Sequence, residues 1–207
     1  AIAINSPSNP TGWVMPRAQM TALRDLVRER GLWLISDVVY NHFTYGNAIA
    51  PSFLQISTPS DRLIVTNTFS KNWAMTGWRA GWIVYPQGLA ATFGKLGQYN
   101  TTSIPTFIQH AAVTALEEGD GFIRTMVGRC AEARAIMVEG LSRLKGVTVF
   151  PPDGAFYLMA RIETDETSLD LAFRLLREAK VGVAPGTAFG PEGEGFGNNS
   201  GLGLSIS

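Results

Sequence analysis

Thr68-Phe69-Ser70-Lys71-Asn72-Trp73-Ala74-Met75-Thr76-Gly77-Trp78-Arg79-Ala80-Gly81 is the stretch from which the fold can be read. An apolar run, Leu63 to Val65, leads into it through Thr66-Asn67, and Gly81-Trp82-Ile83-Val84 leaves it, so its polar groups stand between two short strands. Taken one at a time these groups are ordinary. Ser70 reads as a helix cap, Lys71 as a solvated loop charge and Arg79 as a surface cation, while Phe69, Trp73 and Trp78 read as packing. Their meaning depends on what else lies at the same edge.

Upstream, Ala1 to Ile4 reads as a buried strand. The turn-rich Asn5-Ser6-Pro7-Ser8-Asn9-Pro10-Thr11-Gly12 follows, with two prolines and a glycine that forbid regular structure. Pro16 suits a first helical position, Met20, Leu23 and Val27 recur at three and four, and Gly31 stops the run, which predicts an amphipathic helix. Leu32 to Ile35 is a second apolar run, ending in Ser36-Asp37 with Tyr40 shortly after. Strand, helix, strand and later strand imply an α/β fold with a mostly parallel sheet. Asn9, Asp37 with Tyr40, and Thr68 to Lys71 then follow the ends of three strands, the edge at which such sheets bind ligands.

Downstream, helical patterns run from about Thr106 to Glu118 and from about Phe122 to Leu144, the second long enough to connect two domains. A strand at Val147–Phe150, a turn at 151–154, a strand at Ala155–Ala160, a helix at Leu169–Ala179 and a strand at Val181–Ala184 predict a small α+β domain. Residues 1–120 are assigned to the sheet domain and 121–207 to the connecting helix and small domain. Gly190 to Gly203, with six glycines and two asparagines, reads as a loop.

Composition narrows the function. Of the 207 residues 45% are hydrophobic, enough to fill a sizeable core. Only 16% are charged, 17 basic against 17 acidic, so no basic face is expected for nucleic acid or an anionic membrane. No stretch reaches the ~20 apolar residues of a membrane span, and the start lacks the basic residues of a signal peptide. The single cysteine, Cys130, reads as a half-buried helix position without a catalytic neighbour. A soluble, cytoplasmic protein acting on small molecules is expected.

The motifs Asn9-Pro10-Thr11-Gly12, Asp37-x-x-Tyr40, Thr68-Phe69-Ser70-Lys71 and Ala74-Met75-Thr76-Gly77-Trp78-Arg79-Ala80-Gly81 together resemble the signature of the class I/II aminotransferases of fold type I. Ser103-Ile104-Pro105-Thr106, Pro152-Asp153-Gly154-Ala155-Phe156-Tyr157 and Val183-Ala184-Pro185-Gly186-Thr187 extend the likeness over nearly the whole chain. The resemblance implies the large domain of a pyridoxal 5'-phosphate (PLP) enzyme, incomplete at its N-terminus, followed by a small C-terminal domain. It implies Lys71 as the residue that forms the cofactor Schiff base and shuttles a proton, and Asp37 as the carboxylate facing the cofactor's ring nitrogen. Asn9 and Tyr40 are implied to hydrogen-bond the ring's 3-oxygen, and Thr68, Ser70 and Arg79 to bind the phosphate. No metal is implied. The implied activity is transamination between an α-amino acid and a 2-oxo acid, by a homodimer. A PLP-dependent carbon–sulfur β-lyase and the PLP-sensing domain of a transcriptional regulator are the alternatives that share these cofactor residues.

The sequence departs from the family pattern in two ways. The segment expected upstream of Ala1, with a glycine-containing phosphate loop and a ring stacked on the cofactor, is not in this chain, so the chain by itself is expected to fall short of turnover. Relatives also carry an arginine for the substrate carboxylate two residues before a serine of the last strand, where Leu202-Gly203-Leu204-Ser205 puts Gly203. No lysine or arginine follows Lys180.

Overall fold

The computed structural model describes residues 1–46, 49–194 and 199–205, the last stretch as backbone only. Contacts divide the chain into two units, residues 1–7 with 14–126, and residues 8–13 with 127–207.

The first unit is built on a four-stranded sheet in the order β1 (Ile2–Asn5), β2 (Leu34–Asp37), β3 (Leu63–Thr68), β4 (Gly81–Val84). β1, β2 and β3 run parallel, Asn5 pairing with Asp37 and Asp37 with Thr66, while β4 returns antiparallel to β3. Only a glycine fits at the β3–β4 crossing, because a Cβ on Gly81 would lie 2.6 Å from the Asn67 carbonyl oxygen. Helix α1 (Arg17–Glu29) connects β1 to β2. Pro16 caps this helix rather than opening it, with its φ of −65° already helical and no N–H to lose. Met20 and Val27 on α1 enter a core with Leu34, Val38, Phe53, Leu63 and Val65. β1 is only half-buried, not the buried strand the apolar run suggested.

A four-residue helix, α2 (Phe69–Asn72), follows β3 directly. Phe69, Met75 and Ala80 form a second core with Trp73, Trp82 and Ile108. Helix α3 (Ala90–Asn100), which the sequence pattern did not announce, precedes α4 (Thr106–Glu118) and the long α5 (Asp120–Ser142).

The second unit holds the sheet β5–β6–β8–β7, all antiparallel: β5 (Val147–Phe150), β6 (Tyr157–Glu163), β7 (Ala184–Pro185) and β8 (Asn199–Ser205). β8 replaces the end of the expected glycine-rich loop, and β7 is shorter than the Val181–Ala184 strand the pattern predicted. Helix α6 (Ser168–Arg174) passes into one wide turn at 175–179, and Leu171 and Ala172 pack with Ile162, Leu175 and Val183. Cys130 is buried at 4% exposure, deeper than its polar neighbours implied. Among the described residues no helix is long and apolar enough to cross a membrane.

Candidate functional site

Thr68 ends β3 with an extended backbone and caps α2, its Oγ1 accepting the Ser70 N–H at 3.1 Å. The same hydroxyl donates to the Ala80 carbonyl at 2.9 Å and lies 3.0 Å from Ser70 Oγ. Phe69 N–H reaches the same Ala80 carbonyl, at 3.1 Å. These bonds hold the two ends of the 68–80 segment together. Arg79 sits in the left-handed region at φ 54°, an uncommon conformation for a residue with a side chain. Its guanidinium is exposed and donates to the Thr76 carbonyl, with no carboxylate partner among the described residues. Thr68, Ser70 and Arg79 line one open cleft of about 390 Å³ with Thr66 and Asn67. The Ser70 hydroxyl and the Arg79 guanidinium are donors of the kind a phosphate needs, and the Thr68 hydroxyl would join them by turning from the Ala80 carbonyl.

Asp37 stands at the matching end of β2. Its Oδ1 accepts the Val39 N–H at 3.2 Å, and its backbone carbonyl accepts from Ser6 N–H at 3.1 Å. Burial pushes its carboxyl above the ordinary range, against the opposing pull of Val39 N–H and the Thr66 hydroxyl. No described lysine or arginine pairs with it. A half-buried carboxylate of this kind fits a protonated ring nitrogen, which would supply the missing positive charge. Tyr40 is buried at 3% exposure, and Lys71 Nζ lies 5.7 Å from the centroid of its ring. Lys71 itself is half-buried on α2. The first unit therefore brings Asp37, Tyr40, Thr68, Ser70, Lys71 and Arg79 to the C-terminal edge of β2 and β3.

Asn9 belongs to the second unit, in the exposed 8–13 loop. That loop is pinned at Gly12, whose carbonyl accepts the N–H groups of Asp153 at 3.0 Å and Gly154 at 2.8 Å. Gly12 has φ +68°, and a Cβ there would lie 2.1 Å from Pro152 Cβ.

Sequence reasoning passed over the groups that support this site. Thr66 modulates Asp37 and is its register partner on β3, a relation visible only once the strand pairing is known. Asn72, fully buried beside Lys71, donates to Asn41 Oδ1 at 2.7 Å and so ties α2 to the segment after Tyr40. Nothing in the sequence separates Asn72 from a solvated helical asparagine. His42, which had no expected role, packs edge-on against Trp73 at 5.9 Å, and burial pushes its imidazole pKa down.

A family model described as aminotransferase class I and II matches residues 1–197. The chain belongs to the class I and II aminotransferases. It is 38% identical over 199 residues to an aspartate aminotransferase of Pyrococcus abyssi, a match covering 95% of this chain and 51% of that protein. It is 38% identical over 197 residues to the arginine–pyruvate transaminase of Pseudomonas aeruginosa, covering 94% of this chain and 50% of that one. Among solved structures it resembles an aromatic aminotransferase from Pyrococcus horikoshii with TM-score 0.89 and 36% identity, over 99% of this chain and 54% of the other. The chain thus spans about half the length of the aminotransferases it matches. The solved neighbours bear out the fold type I reading of a mostly parallel sheet, to which the structure adds the antiparallel edge strand β4. Gly203, in β8 between Met159 and Ala184, lies beyond the residues that the family model matches.

Proposed function

We propose that this chain carries the PLP-binding and catalytic residues of an aminotransferase that moves an amino group between an α-amino acid and a 2-oxo acid. The observation that carries the proposal is a half-buried Lys71 set over the ring of a buried Tyr40, at the same sheet edge as Asp37 and the Thr68–Ser70–Arg79 cleft. When bound, PLP supplies an electron sink for negative charge developing at the substrate Cα. The protein residues do the rest. Thr68, Ser70 and Arg79 hold the phosphate, and Asp37 keeps a proton on the ring nitrogen. Tyr40 and Asn9 donate to the ring's 3-oxygen. Lys71 would hold the cofactor covalently, and its side-chain amine would move the proton at the substrate Cα.

A homodimer in the cytoplasm fits this reading. Leu96 and Tyr99 on α3 and Phe107 and Leu116 on α4 expose apolar surface of the kind that associating proteins cover.

Transfer of an isotopically labelled amino group from an amino acid to a 2-oxo acid, by a full-length aminotransferase that contains this chain and is supplied with PLP, tests the activity. Labelled product is expected, lost by several orders of magnitude in Lys71→Ala. Undiminished transfer in that variant overturns the assignment, and release of pyruvate without labelled product points to β-elimination instead.

A further inference from the structure

Three consecutive residues after β2 meet, in step, the last two residues of α2 and its C-cap. Lys71 Nζ lies 5.7 Å from the centroid of the Tyr40 ring, Asn72 Nδ2 donates to Asn41 Oδ1 at 2.7 Å, and the rings of His42 and Trp73 meet edge-on at 5.9 Å. All six residues belong to the first unit. The outer two contacts involve ring faces and edges, which tolerate sliding, whereas the middle one is a directional bond. Both sides of this ladder are anchored. The Asn41 N–H donates to the Val38 carbonyl at 2.9 Å, the Asn41 carbonyl accepts the Ala50 N–H at 2.8 Å, and Trp73 Nε1 donates to the Ala115 carbonyl at 2.7 Å.

Asn72 is fully buried, and among the described residues its Oδ1 is the one buried side-chain polar atom without a hydrogen-bond partner. An apolar side chain of similar size would fill the same space without that cost, so packing alone does not call for an amide here. The bond to Asn41 does. We infer that Asn72 is a positioning residue whose bond to Asn41 sets α2 against the 40–42 segment and so holds the Lys71 amine over Tyr40. The inference rests on the aminotransferase reading for its functional meaning, because an amine that must meet both a cofactor and a substrate proton gains from a fixed position. It deepens that reading by adding Asn41 and Asn72, which act through Lys71 and Tyr40.

Trace acetylation of lysine amines, read by peptide mapping, tests the inference in the cofactor-free full-length aminotransferase that contains this chain. Exposed Lys95, Lys145 and Lys180 serve as internal references. Asn72→Leu removes the donor together with the unpaired acceptor, and Asn41→Ala removes the bond while leaving the buried side chain in place. Asn41→Asp keeps an acceptor for the Asn72 amide. Relative to the references, Lys71 should label at least about threefold faster in Asn72→Leu and in Asn41→Ala than in the parent, and return to within about twofold of the parent in Asn41→Asp. The double variant Asn41→Ala/Asn72→Leu should stay within about twofold of Asn72→Leu, because the two residues share one bond. A residue that only fills the core would show neither the rescue nor the coupling. If Asn72→Leu fails to fold, Asn41→Ala and Asn41→Asp carry the test. Lys71 labelling unchanged or slowed in Asn41→Ala, no recovery in Asn41→Asp, or additive effects in the double variant overturns the inference. Borohydride fixation of PLP on Lys71, measured on the same proteins, separates the two proposals. Fixation in the parent with Lys71 labelling indifferent to Asn41→Ala removes the positioning role alone, whereas Asn41-dependent labelling without fixation in the parent removes the cofactor assignment alone.

Discussion

At Asp37, function and stability pull in opposite directions. Burial raises its folded pKa above the unfolded value of about 3.9. The protonated carboxyl is then the form the fold prefers, so its contribution is fully present below about pH 3.9 and is lost as pH rises through the folded value. Without cofactor, Asp37→Asn should therefore be more stable than the parent near neutral pH and gain nothing in acid, as denaturant titrations at the two pH values will show. The same substitution removes the charge proposed to face the ring nitrogen, and Cα deprotonation should slow by a hundredfold or more in the full-length enzyme, by analogy with preorganised groups worth about 3 kcal/mol. Equal activity of the Asn protein would make Asp37 a structural residue only. Gly12→Ala tests the other anchor. The left-handed backbone alone costs about 1–3 kcal/mol, and the collision with Pro152 adds to it, so a clear fall in the unfolding midpoint is expected. The position of Asp37 and Lys71 at strand ends was legible, because the apolar runs that precede them are a property of the sequence. The Thr66 hydroxyl that tempers Asp37 was not, since its effect comes from strand register.

Among the elements, α1 was legible from the spacing of Met20, Leu23 and Val27, whereas α3 was not. Gly94 and Gly97 dilute the α3 pattern, and none of its residues is buried, so no apolar stripe marks it. β8 was obscured for a similar reason. Its glycines and asparagine carry turn signals, yet its backbone pairs with β6 from Asn199 to Ser205, a tertiary choice that overrides local composition. The attachment of α1 depends on Asp61, which accepts two bonds from Arg28 at 2.7 Å each and the Thr58 N–H at 2.7 Å. These donors hold its carboxyl well below the usual range. A depressed carboxyl contributes stability above its unfolded pKa and loses it as pH falls through the folded one. Asp61→Asn should then destabilise the chain near neutral pH, with the deficit shrinking below about pH 3.9. A deficit independent of pH would show that the Arg28 pair contributes nothing through charge.

At the scale of the molecule, the parallel order of β1 to β3 and the presence of a second α+β unit followed from the succession of apolar runs. The assignment of residues 8–13 to the second unit did not, because it depends on the Gly12 contacts with Asp153 and Gly154, remote in sequence. The loop bearing Asn9 thus belongs to one unit and Lys71 to the other, which makes the cofactor the test of whether they serve one site. The most direct measurement is borohydride reduction of the chain incubated with PLP, followed by peptide mapping. A stable cofactor adduct is expected on Lys71 alone, absent from Lys71→Ala and weakened in Arg79→Ala through loss of the proposed phosphate contact. An adduct of equal yield in Lys71→Ala, or one spread over Lys95, Lys145 and Lys180, would contradict it.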